Sequence, residues 1–112
     1  MQSLILLNDP TYVEAARVLA SRVRLSESGD ERRLVIVFRR VLSRYPDDTE
    51  IRLLSDFLQR QRKRFSDSPD DAMALVAVGE SKSDGDSDAG ELAAWTMVAH
   101  TLLNLDEAIT RR

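Results

Sequence analysis

The chain has no cysteine, one histidine and only six aromatic side chains in 112 residues. The missing cysteine excludes disulfides, cysteine-ligated zinc, iron–sulfur clusters and covalently attached haem from these residues. It leaves the compartment open. With Trp95, Tyr12, Tyr45, Phe38, Phe57 and Phe65 as the only aromatics, the core must be built mainly of Leu, Val and Ala. No apolar run approaches the roughly 18 residues of a membrane-spanning helix. Met1–Leu7 is apolar but short and lacks a basic leader, so it does not read as a signal peptide.

What is present is the balance of a folded globule, with 43% hydrophobic and 31% charged residues. The net charge of −3 is unevenly spread. Residues 1–66 carry an excess of Lys and Arg, residues 67–112 an excess of Asp and Glu. Internal complementarity, with the acidic part beside the basic part, is the favoured reading, and a partner-binding patch is the alternative.

Apolar spacing divides the chain into a truncated helix end and five further helical segments. Gln2–Leu7 is apolar on every side and reads as the end of a truncated helix. Asn8-Asp9-Pro10 breaks the pattern. A helix is expected from Pro10 to about Glu27, with Tyr12, Ala16, Leu19 and Val23 inside and Glu14, Arg17, Ser21 and Arg24 mostly elsewhere. The next is expected from Glu31 to Arg44, with Leu34, Phe38, Val41 and Tyr45 as its stripe and Pro46 as its stop. Asp47-Asp48-Thr49-Glu50 has the form of a capping box. The helix it opens carries Ile51, Leu54, Phe57, Leu58 and Phe65 and ends in an exposed basic tail, Arg60, Arg62, Lys63 and Arg64. Ser68-Pro69-Asp70-Asp71 starts a short helix that stops before Gly79. Residues 80–90 form a polar acidic loop, expected to be mobile. A last helix, Glu91 to Arg111, places Leu92, Trp95, Val98, Leu102, Leu105 and Ile109 on one stripe. The expected fold is all-α, a compact bundle of about five helices with no sheet, forming a single domain over residues 1–112.

Motifs for chemistry are sparse. His100 has no ligand-type residue three or four positions away, so it reads as structural. Asp84, Asp86 and Asp88 match the first positions of a helix–loop–helix calcium site. Ala89 stands where that site needs glycine, and Trp95 where it needs the bidentate glutamate. Gln59–Arg64 could touch nucleic acid, but the acidic whole opposes it, so no nucleic-acid partner is expected. No nucleophile elbow, phosphate-binding glycine loop or catalytic dyad is present. Catalytic, cofactor-binding and metal-ligating residues are therefore each expected to be none, and the chain is expected not to be an enzyme.

Four stretches carry a family resemblance. SLILLNDPTYVEAARVLA, VLSRYPDDTE, ALVAVGES and GELAAWTMVAHTLLNLDEAITR together resemble the C-terminal domain of unknown function of large planctomycete cytochrome-type multidomain proteins. The matching positions are Asn8, Asp9, Arg44, Pro46, Glu50, Trp95, Asn104, Asp106, Glu107 and Arg111, to which the resemblance assigns no role. It implies that the chain is a fragment of the C-terminal region of a larger protein. The resemblance also implies that haem, if the parent carries it, belongs to another domain, and that the parent is extracytoplasmic, a compartment the residues themselves leave unknown.

The expected function is a structural or protein-interaction module of a multidomain, redox-associated protein. Its partners would be the upstream domains, or a second copy in a homodimer through the truncated N-terminal helix, with Leu4, Ile5, Leu6 and Leu7 as candidate interface. The runner-up is part of an enzyme or ligand-binding site completed by upstream domains, with Asn8, Asp9, Asn104 and Asp106 contributing. A peptide- or carbohydrate-binding surface is a third reading. No membrane insertion is expected.

Overall fold

In the computed structural model, residues 10–26, 29–76 and 89–110 are described, and all of their regular structure is helical. The helices are α1 (Pro10–Ser26), α2 (Asp30–Leu42), α3 (Asp48–Asp67), α4 (Pro69–Val76) and α5 (Ala89–Thr110). No strand occurs among the described residues, and Leu34–Phe38 lies inside α2. The expected Met1–Leu7 helix, with Leu4, Ile5, Leu6 and Leu7, falls outside the described residues, as do Asn8, Asp9, residues 80–88 and Arg111.

The bundle is organised around α5. This helix packs on each of the other four, and its most extensive interface is with α1. Leu92, Ala93, Ala94, Trp95 and Thr96 are buried in succession, followed by Val98, Ala99, His100 and Leu102. Consecutive residues on a helix point about 100° apart, so an unbroken buried run means enclosure on all sides. The expected single stripe is thus too narrow. Beyond His100 the enclosure opens: Thr101 and Ala108 are exposed, Leu105 is nearly half exposed, and Leu102 alone stays buried.

The alanines explain how four helices gather on one. Ala16 and Ala20 of α1 and Ala93, Ala94 and Ala99 of α5 are fully buried. Small side chains let helix axes approach to the lower end of the usual ~8–10 Å spacing. Larger residues fill the rest: Val13 and Val23 from α1, Leu34, Val37 and Phe38 from α2, Leu58 and Phe65 from α3. Trp95 is 1% exposed and donates its ring N–H to Glu91 one turn earlier, at 3.0 Å. Its polar tip is satisfied while its body fills the core.

Two boundaries and one burial differ from expectation. First, α2 ends at Leu42 rather than Arg44, and Pro46 does not end it. Ser43 adopts a left-handed conformation (φ 62°, ψ 28°) and donates its backbone N–H to the Arg39 carbonyl. That turns the chain out of the helix before the proline is reached. Tyr45 therefore leaves the stripe and is 66% exposed, while Val37 takes a core position. Second, Ala89 and Gly90, read as loop, are the first residues of α5. Third, Arg17 is not on the outer face of α1 but buried, because it follows Val13 by one turn and sits on the flank of the core-facing side. Gly29 precedes α2 with φ 99°, a conformation that glycine adopts without strain.

Replacing Trp95 with Ala should cost about 3–5 kcal/mol, the usual loss for a buried aromatic. Urea denaturation of the W95A variant measures it. A loss under 1 kcal/mol, or native tryptophan emission at the solvated wavelength, would contradict this packing.

Candidate functional site

Three polar groupings take in Arg44, Pro46, Glu50, Trp95 and Asn104 of the residues that the sequence singled out. The first is centred on Arg62 of α3. Its Nη1 and Nη2 donate to the two carboxylate oxygens of Asp30 at 2.7 and 2.9 Å. Its Nε and Nη2 donate to the two oxygens of Glu91, Nε at 3.1 Å. Asp30 opens α2 and Glu91 lies in the first turn of α5, where a carboxylate also meets the helix N-terminal partial charge. One guanidinium thus ties three helices, and through Glu91 it reaches the ring N–H of Trp95. Hydrogen bonds to Arg62 hold the Asp30 carboxyl below its ordinary value, against a smaller opposing effect of burial. Arg62 is therefore not part of a solvated basic tail, as its sequence position suggested. Arg60, Lys63 and Arg64 match it better: all are exposed, and Lys63 meets Asp67 one turn on at 3.5 Å.

The second grouping is the α2–α3 turn, where Arg44, Pro46 and Glu50 meet the expected capping box. Asp47 Oδ1 accepts the Glu50 backbone N–H at 2.7 Å, and Glu50 Oε1 accepts the Asp47 backbone N–H at 2.9 Å. Arg44 then grips the same Glu50 with Nη1 and Nη2 at 3.0 and 2.8 Å. The Glu50 carboxyl is lowered to about 2, first by the Arg44 hydrogen bonds and next by the Asp47 backbone N–H. Arg44 also stacks over Phe38, and Arg39 stacks over Tyr45 at 4.2 Å from the ring centroid. The turn is thereby braced on both flanks.

The third is a polar line on α5. Thr96, His100 and Asn104 recur every four residues, and Thr96 and His100 are buried. Thr96 donates its hydroxyl to the Leu92 carbonyl at 2.7 Å. Asn104 Nδ2 stands 3.3 Å from His100 Nδ1. His100 thus has a polar neighbour on its own helix, and it lies in the core rather than in a cleft. Asp106 and Glu107 lie beyond, both half-buried, and Glu107 cannot be placed against Arg111, which is outside the described residues.

These groupings do not converge on one cavity. Two shallow depressions are lined by described residues. One, of about 470 Å³, lies on the outer face of α1 beside α2, lined by Glu14, Ala15, Val18, Leu19, Arg22 and Arg40. The other, of about 290 Å³, lies among α3, α4 and α5, lined by Arg64, Phe65, Asp71, Ala74, Leu75 and Met97. No family-motif position lines either. No set of three His, Asp or Glu side chains among the described residues could hold a metal ion, and none of the described helices is long and apolar enough to cross a membrane.

A family model matches residues 1–58, just over half of the chain; its description is PSD1, a protein of unknown function (DUF1553). The chain belongs to the PSD1 family. No curated protein and no solved structure matches it. The matched residues of this PSD1 chain take in the Arg44–Glu50 turn and stop within α3, before Arg62. Arg62 itself was missed in the sequence because its partners lie 29 and 32 positions away on other helices.

Both depressed carboxyls predict acid sensitivity, and the sign follows from linkage. A lowered folded value contributes stability that is present above the ordinary value and lost as pH falls through the folded one. For Glu50 that window runs from 4.5 to about 2, and Asp30 adds to it below 3.8. Urea midpoints measured against pH should therefore fall across this range. Glu50→Gln should flatten the fall. Arg62→Met should also flatten it, and should cost roughly 2–3 kcal/mol at neutral pH, by leaving two carboxylates facing each other. Equal slopes in all three proteins would contradict the assignment.

Proposed function

We propose that this PSD1 chain is a non-catalytic structural or interaction module of a multidomain protein of the planctomycete cytochrome type. In this reading the module holds neighbouring domains in place, and any haem sits in one of those domains. The protein would then work outside the cytoplasm, where such cytochrome-type partners reside.

The observation that carries the reading is where the family-motif side chains go. Arg44 and Glu50 close the α2–α3 turn, Trp95 fills the core, and Asn104 meets His100 along α5. Each serves the shape of the bundle, and none faces the two surface depressions. Residues whose task is shape are what a module needs to present fixed surfaces. Large apolar side chains stand on those surfaces: Leu53 on α3 is 62% exposed and Met73 on α4 is 61% exposed, with Leu25 at the end of α1 still more open. Such side chains are the usual anchors of a docked neighbour when they are covered together.

The second reading is a ligand or enzyme site shared with upstream domains. One observation favours it: Asn104 Oδ1 is buried without a hydrogen-bond partner. A buried acceptor of this kind normally has a donor.

Residue-level carbene footprinting of the isolated chain and of the longer parent protein tests the module. Labelling at Leu25, Leu53 or Met73 should drop several-fold in the parent. Unchanged labelling at all three would refute docking through these surfaces. An optical spectrum of the same parent preparation reads its haem content, and a haem-free parent would remove the cytochrome-type assignment.

A further inference from the structure

Arg17 is 2% exposed, and its Nε and Nη2 atoms are buried with no hydrogen-bond partner. No carboxylate among the described residues pairs with it, although Glu14 lies one turn earlier on the same helix. An arginine keeps its charge in proteins and presents its N–H donors in a fixed planar fork. A buried ion without a counter-charge is among the least favourable arrangements in a folded chain. The identity of the two bare atoms matters. Nε and Nη2 share one edge of the guanidinium, and their N–H bonds run nearly parallel along it. That edge receives both oxygens of a carboxylate or phosphate at once.

The same chain shows this edge in use. On Arg62, Nε and Nη2 take the two oxygens of Glu91. On Arg17 the equivalent edge is bare. Independently of the module reading, we propose that the Nε/Nη2 edge of Arg17 is a receptor for a small oxyanion, a carboxylate or a phosphate. The enclosure selects for size. The two atoms have no access to solvent, so an occupant must displace the side chains that cover them, which restricts it to a small anion or the anionic end of a slender molecule rather than a broad acidic protein surface. Arg17 lies on the flank of the α1 face that packs towards α5, so an occupant would bear on the largest interface in the bundle. Binding would stabilise the fold as well as fill the site.

The test uses the whole chain, labelled with nitrogen-15, at neutral pH and at ionic strength held constant with sodium chloride. Acetate and inorganic phosphate are titrated separately. The Arg17 Nε–H signal, identified by its loss in Arg17→Lys, should shift along a saturating curve, while that of exposed Arg22 should not. The melting temperature should rise by roughly 5 °C once the anion is tenfold above its dissociation constant. In Arg17→Met that rise should vanish. A response to acetate alone assigns a carboxylate ligand, and a response to phosphate alone assigns a phosphate ligand. A wild-type Arg17 signal that neither anion moves overturns the proposal, as does a melting response that persists in Arg17→Met. The wild-type signal decides the matter even where Arg17→Met does not fold.

Discussion

The constraint on which the rest of the structure depends is the enclosure of α5. Between Leu92 and His100 this helix presents almost no surface to water, and α1 to α4 are its wall. The bundle is therefore a sheath around a rod rather than a ring of equivalent helices. Such an arrangement needs a central helix that is apolar around its circumference and slim enough to be approached from several sides. Leu92, Val98 and Leu102 provide the first property, and Ala93, Ala94 and Ala99 provide the second. Trp95 supplies bulk where the alanines leave space, and its polar tip is tied to Glu91.

Apolar burial alone is non-directional, so something must fix how the wall stands around the rod. Arg62 does this at the end where α5 begins. It holds the first turns of α2 and α5 to the C-terminal half of α3 through two bidentate contacts. The Arg44–Glu50 turn does the corresponding work between α2 and α3, by a local device. A third cation, Arg33, donates to the Arg24 carbonyl near the end of α1 at 3.1 Å and joins α1 to α2. The arginines are thus distributed as connectors between helices. The basic half of the sequence reaches the acidic half through Arg62 and Glu91, so part of the charge asymmetry is settled inside the molecule.

Local features were legible in the sequence, and distant ones were not. Helix identity followed from apolar spacing, and the capping box at Asp47 from a four-residue pattern whose partners are neighbours. The end of α2 was misplaced because Pro46 is a louder stop signal than Ser43, whose left-handed conformation carries no strong residue preference. The full enclosure of α5 was hidden because alanine reads equally well as surface or core, so Ala93, Ala94 and Ala99 gave no signal. Arg62 and Arg17 looked like ordinary surface cations. Nothing in a linear pattern says that one meets two carboxylates from other helices or that the other is buried. Of the candidate site, the Arg44, Pro46 and Glu50 cluster was legible through family resemblance, and its closed geometry accounts for that spacing.

A bundle built around α5 makes that helix the most protected element of the fold. Native-state hydrogen exchange measures that directly, residue by residue. The amides from Trp95 to Leu102 should exchange only through global unfolding, with a free energy equal to that from urea denaturation, while amides of α4 should open more readily. Faster exchange in this stretch of α5 than in α1 or α3 would contradict a bundle built around it.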